Sequence, residues 1–144
     1  MKIGFTGTRQ GMTPQQRTSL SFVLRAYVQT NGSNRLPFHH GDCIGADSEA
    51  HNIARDLGCY IIIHPPTKSS NRAYRGGDFV HATLPYMDRN RAIVAECDVI
   101  IGCPKEYDTV RRSGTWATMR FAQRAGKPVV MIRPDGEVVT EDGK

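Results

Sequence analysis

Apolar and polar positions along the chain follow two different periods. Five short runs are almost continuously apolar: "MKIGFTG", "RLPFHHG", "CYIIIHPP", "DVIIGCP" and "KPVVMIRP". Runs of this length and density read as strands, and "CYIIIHPP" has the pattern of a strand buried on both faces. Between them, apolar residues recur at three-to-four spacing, which predicts helices. Leu20, Val23, Leu24 and Tyr27 form one stripe in "TPQQRTSLSFVLRAYVQTNG", with Pro14 in the first turn. Ala50, Ile53, Ala54 and Leu57 form another in "GADSEAHNIARDLG". "YMDRNRAIVAEC" and "TWATMRFAQRAG" complete the set, the latter with Trp116, Met119, Phe121 and Ala122 inward and Gly126 as its stop. Residues 65–83 and the segment "KEYDTVRRSG" are aperiodic and polar and read as loops; a loop as long as the first is usually functional.

Strand and helix therefore alternate. That order predicts right-handed βαβ units and a parallel sheet with helices on both faces. The expected architecture is α/β: a single three-layer Rossmann-like domain spanning 1–144, with a mainly parallel sheet of about five strands. The tail 134–144 is expected to fray or to add one short edge strand.

Composition narrows the class. With 39% hydrophobic and 23% charged residues, the chain matches an ordinary globular protein. No stretch approaches the roughly 18 apolar residues of a membrane span, and "MKIGFTGTRQ" lacks the apolar core of a signal peptide. Cys43, Cys59, Cys97 and Cys103 form no CxxC pair, so a reduced, cytoplasmic setting is expected. The formal charge of +5 favours an anionic partner, although the basic residues are scattered and form no polybasic run.

In parallel sheets, ligands bind beyond the carboxyl ends of the strands. The first strand is followed by Gly7, Thr8 and Arg9. The second is followed by Gly41, Asp42, Gly45, Ala46 and Asp47, and the last helix is preceded by Ser113, Gly114 and Thr115. Glycines permit close backbone approach, helix N-termini offer unpaired N–H groups, and an arginine can grip a phosphate bidentately. Together with Arg89, these residues are the expected phosphate-binding set. Arg72, Tyr74, Arg75 and Phe79, in the 65–83 loop, are expected to form a lid. There is no GxGxxG after the first strand and no GxxxxGK[ST], so neither a dehydrogenase nor a P-loop NTPase is supported. His39, His40, Cys43, His51 and His64 invite a zinc reading. Adjacent strand residues face opposite ways, however, and no spacing matches a structural zinc pattern, so neither a metal nor a cofactor is expected.

Four blocks, "GFTGTR", "HHGDCIGADSEAH", "RNRAIVAECDVIIGCP" and "SGTWATMRFAQRAGKPVVMI", together resemble the SLOG superfamily of Rossmann-like nucleotide-binding proteins. The resemblance is to its small stand-alone members related to the DNA-processing protein A (Smf) family, and it runs from Ile3 to about Asp135. It implies a nucleotide or nucleotide-derived ligand and, as is frequent in this superfamily, a homo-oligomer. The DNA-processing branch binds single-stranded nucleic acid, and its Ser-Gly-x-x-x-Thr helix is matched by Ser113, Gly114 and Thr118. The "lonely guy" phosphoribohydrolases form a more distant branch that cleaves the N-glycosidic bond of nucleotides. Arg89 stands to Asp98 as an arginine does in their pattern, but Thr118 occupies the place of their catalytic glutamate. No residue is singled out as catalytic. A nucleotide sensor or carrier, an N-glycosidic hydrolase and a single-strand-binding module are the readings these residues leave open.

Overall fold

The structure, a computed structural model, describes residues 1–142. The chain runs β1 (Ile3–Gly7), α1 (Pro14–Thr30), β2 (Pro37–His40), α2 (Ala46–Asp56), β3 (Tyr60–Ile63), a short 3-10 turn, then β4 (Phe79–Val80). It continues through α3 (Tyr86–Glu96), β5 (Val99–Cys103), α4 (Gly114–Arg124), β6 (Val129–Ile132) and β7 (Val138–Glu141). The strands form one sheet in the order β4-β3-β2-β1-β5-β6-β7. All neighbours are parallel except β6 and β7.

The expected α/β alternation and mostly parallel sheet are present, but the sheet has seven strands where about five were expected. β4 falls inside the aperiodic 65–83 segment; it is only two residues long and both are exposed, so it leaves no buried apolar run in the sequence. Its strand character comes from the ladder with β3, Ile62 opposite Phe79 and Ile63 opposite Val80, not from any apolar pattern of its own. β7 realises the edge-strand option for the tail; positions 143 and 144 lie outside the described residues.

Side-chain alternation along the strands divides the core in two. Ile3, Phe5, Ile101 and Ile132 join Leu20 and Leu24 of α1 and Ala46, Ala50 and Ala54 of α2 in one buried cluster. Ile100 and Val129 join Ile93 and Val94 of α3 and Trp116, Met119 and Ala122 of α4 in the other. α1 begins at a capping box, Thr13 Oγ1 accepting from the Gln16 amide while the Gln16 side chain accepts from the Thr13 amide. The fully buried Gln16 also donates to the carbonyls of Pro104 and Ile132 at 2.7 and 2.9 Å. It thereby ties the start of α1 to the ends of β5 and β6.

β1 leads towards β2 on one side while its other neighbour is β5, so strand order reverses between β1 and β5. The loops leaving these two strands part there and leave a crevice. Its wall is set by a close approach of the segment after β1 to the start of α2. Gly45, the N-cap of α2, has φ 86°, and a Cβ there would collide with the Arg9 carbonyl. Both the left-handed backbone and the contact demand glycine. Gly45→Ala is expected to destabilise the fold by about 3 kcal/mol, read as a lowered urea midpoint at unchanged m-value.

Candidate functional site

A cavity of about 420 Å³ lies at this crevice, beyond the carboxyl ends of β1 and β5. Gly7, Thr8, Arg9, Gly41, Asp47, Arg89, Ser113, Gly114 and Thr115 all line it. Separate segments of the expected set are therefore brought to one place.

Arg89 is the central feature. It sits in the first turn of α3 and is only 5% exposed. Burial of a cation is costly, and the positive end of a helix adds to the cost. Among the described residues Arg89 makes no ion pair. Its partners are neutral: the carbonyls of Gly41 and His64, Asn90 Oδ1 at 2.8 Å, and the Cys43 sulfur at 3.6 Å. A Cβ on Gly41 would strike Nη1, so glycine is what lets the guanidinium lie against this backbone. Asn90 continues the line, its amide nitrogen facing Gly114 at the start of α4.

α4 supplies the second part. Ser113 is its N-cap and accepts from the Trp116 amide. The Gly114 and Thr115 amides belong to the first turn, where N–H groups have no intrahelical acceptor. Lys105 and Arg112, both exposed, flank the cavity from the loop after β5, and Arg9 from the loop after β1. Two carboxylates also line it, Asp47 and Glu106, the latter accepting from Trp116 Nε1 at 3.0 Å. Tyr86, Met87, Ile93 and Val110 form an apolar wall.

The turn after β2 behaves differently from expectation. The Asp42 amide donates to His40 Nδ1, Cys43 to Asp47 Oδ2, Ile44 to the Asn71 carbonyl and Ala46 to the Thr8 carbonyl. Its amides are consumed by the protein's own acceptors, and Asp42, Gly45 and Ala46 do not line the cavity. Asp42 is instead a buried anchor at φ 58°, accepting from Arg72 Nε and from the Arg75 amide, each at 2.9 Å. The expected lid is thereby fastened elsewhere. Arg72 pairs with Asp42 and lies over the Tyr74 ring, Arg75 reaches Ser48 and Asn52 on α2, and Phe79 belongs to β4. None of the four lines the cavity. The segment that borders it is the shorter loop after β5. Sequence reasoning missed Asn90, Lys105, Glu106 and Tyr86 as lining residues. Lys105 had a legible signal, since it directly follows a strand flanking the reversal point.

Thr118, at the position matched to the phosphoribohydrolase glutamate, is fully buried and donates to the Gly114 carbonyl at 2.8 Å. Trp116 packs in the core instead of facing a ligand, being 8% exposed. The four cysteines are free and buried. His39 and His40 do point apart, His39 pairing with His64 and His40 with His51.

No family model matches the chain, and no curated protein matches it in sequence. Solved structures do. The molybdenum cofactor binding protein from the phototrophic bacterium Rippkaea orientalis aligns with a TM-score of 0.69 at 21% identity, over 92% of this chain and 77% of that one. TM1055, a structural-genomics target, aligns with a TM-score of 0.64 at 19% identity, over 94% of this chain and 76% of that one. The fold is Rossmann-like. At these identities the likeness is one of backbone architecture, and no helix is long and apolar enough to cross a membrane among the described residues.

The buried titratable groups oppose one another. Burial pushes the Asp47 carboxyl up to about 6, with Arg89 and the Cys43 and Gly41 amides acting the other way. Burial pulls His39 and His51 down to about 4 and His64 to about 3, and it lowers His40 as well. A raised carboxyl contributes stability at low pH that is lost as pH rises from about 4 to 6. Lowered imidazoles contribute stability at neutral pH that is lost as pH falls from about 6.5 to 4. Four histidines outweigh one aspartate, so the urea midpoint is expected to fall from pH 7 to pH 5. In Asp47→Asn the opposing carboxyl is gone and the fall should be steeper; a flatter profile would contradict this assignment.

Proposed function

We propose that the protein binds a nucleotide or a nucleotide-derived phosphorylated ligand in this cavity. The observation that carries the reading is Arg89, a buried cation at a helix N-terminus with no carboxylate partner, lining the same cavity as the start of α4. An anion is the group that would offset both its charge and the open amides of Gly114 and Thr115. The phosphate would lie at Ser113–Gly114–Thr115 with Arg112, Lys105 and Arg9 around it, and a flat ring system against Tyr86, Met87 and Val110. The volume suits a ligand of this size. The four sequence blocks support placing the chain with the small stand-alone SLOG proteins, and a Rossmann-like neighbour named for cofactor binding is consistent with a small-molecule guest.

Binding as a sensor or carrier fits the geometry better than N-glycosidic hydrolysis. Thr118, at the position matched to the hydrolases' glutamate, is buried and spends its hydroxyl on the Gly114 carbonyl. Of the two carboxylates that do line the cavity, Glu106 accepts from Trp116 Nε1 and Asp47 from the Cys43 amide. A panel of nucleosides and their 5′-phosphates, followed by thermal shift and calorimetry, tests the proposal. Phosphorylated members should raise Tm while the bare nucleosides do not. Arg112→Ala and Ser113→Ala should each weaken binding about tenfold or more, as loss of a charge-assisted or capping contact does. Equal responses to nucleoside and nucleotide would remove the phosphate site. Salt-sensitive binding of single-stranded oligonucleotide that is lost in Arg111→Ala and Arg112→Ala, without nucleotide binding, would replace the reading with a nucleic-acid module.

A further inference from the structure

A second group of chemically active side chains lies behind the cavity, where β2, β3 and β4 run side by side. Phe38 belongs to the cluster beneath α1 and α2, so His39 projects to the opposite face of the sheet, towards α3. Because Ile63 is opposite Val80, the next residues on the two strands, His64 and His81, are neighbours. Their rings stack at 4.3 Å between centroids, and the His39 and His64 rings at 5.1 Å. α3 ends over this row at Glu96, whose carboxylate lies 3.9 Å from His64 Nδ1 and 3.3 Å from His81 Nε2.

We propose that His39, His64 and Glu96 form a binding site for a divalent cation of the zinc type, with His81 positioning the carboxylate. One ligand atom from each of the three lies within 4.8 Å of the others, a spread that small side-chain movements close to coordination distance. Two imidazoles and a carboxylate are the donor set that zinc takes when a fourth position is left for water. His81, on the second carboxylate oxygen, provides the outer contact that orients such a ligand.

Packing alone explains the cluster less well. His39 and His64 are 2% and 3% exposed, and their rings meet at 2.8 Å, which uses one nitrogen of each. His39 Nε2 is left buried without a hydrogen-bond partner, a costly state for a polar atom in a core. Both buried rings are held neutral near pH 7, and a neutral imidazole carries one lone pair. In the ring-to-ring hydrogen bond one lone pair is engaged and one is unused; a cation held by both rings would take the place of that bond. Of the charges around the group, Glu96 favours a cation, while Lys2 and Arg89 oppose protonation of the rings and would oppose the ion as well. Arg89 donates to the His64 carbonyl, on the backbone side of the ring. Glu96 and His81 are 40% and 33% exposed, which gives an ion a way in. The site would also fasten β4, a two-residue exposed edge strand, by holding the residues next to it against β3 and α3.

The test uses the full chain, stripped with chelator and titrated with zinc chloride by calorimetry, with cobalt(II) as a spectroscopic substitute. One equivalent should bind, cobalt should show the intense visible bands of a four-coordinate site, and zinc should raise Tm. Glu96→Gln, at an exposed helix end, should retain the far-UV spectrum yet weaken zinc at least about tenfold and abolish the Tm gain; His81→Ala should weaken it less. His51→Gln, in the pair on the opposite face, should leave zinc binding unchanged. Absence of stoichiometric binding in the parent protein, or equal affinity in Glu96→Gln, overturns the proposal.

Discussion

A guanidinium enclosed by protein without a carboxylate beside it is the constraint around which this molecule is arranged. Arg89 is held only by neutral acceptors, the Gly41 and His64 carbonyls, Asn90 and the Cys43 sulfur. These come from the ends of β2 and β3 and from α3 itself, so one side chain ties the strand termini to the helix that crosses them. Neutral contacts satisfy the donors without a direct ion pair. Asp47 is the carboxylate of the same cavity that feels the Arg89 charge, and the cavity beside it is where further compensation can enter. Removal of the Gly41 hydrogen in favour of a methyl group would displace the guanidinium, which makes the glycine part of the electrostatic design as well as of the turn.

The rest of the rim divides into amides already used and amides still open. The turn from Gly41 to Ala46 closes on itself, on Thr8 and on the 69–75 segment, and so acts as a rigid wall. Asp42 makes that closure possible by gathering Arg72 and the Arg75 amide from a segment about thirty positions away in the chain. The start of α4 stays open because its N-cap serine satisfies one first-turn amide and leaves the neighbours Gly114 and Thr115 facing the cavity. An anion site at α4 and a structural joint at α2 are thus built from similar glycine-containing turns, distinguished by what each amide meets.

Burial also shifts several ionisable groups towards their uncharged forms. Asp47 faces the cavity with a raised pKa, and four histidines lie neutral in two pairs on opposite faces of the sheet. The pair towards α1 and α2 is self-contained. The pair towards α3 extends through His81 to the Glu96 carboxylate, which gives that face a donor set of a different chemical character.

The chain's own pattern was enough to place nearly every helix and five strands, because apolar runs and three-to-four stripes record directly which residues are hidden from water. It also marked the Ser113–Gly114–Thr115 turn, since strand ends in a parallel sheet are where ligands meet backbone N–H groups, and Arg89, since a cation near a helix start is unfavourable unless an anion meets it. What it could not record was the use to which each amide and each charge is put. Asp42, Gly45 and Ala46 looked like phosphate ligands, yet their partners, Arg72, the Arg9 backbone and the Thr8 carbonyl, come from segments distant in sequence. The 65–83 segment looked free to close over a guest, yet ladder bonds to β3 and the Asp42 anchor fix it away from the cavity. β4 exists only because β3 offers it a partner, and His39, His64 and Glu96 meet only because strand register and the end of α3 bring them together. Local pattern determines which surfaces are buried; long-range pairing decides which polar groups are left to act.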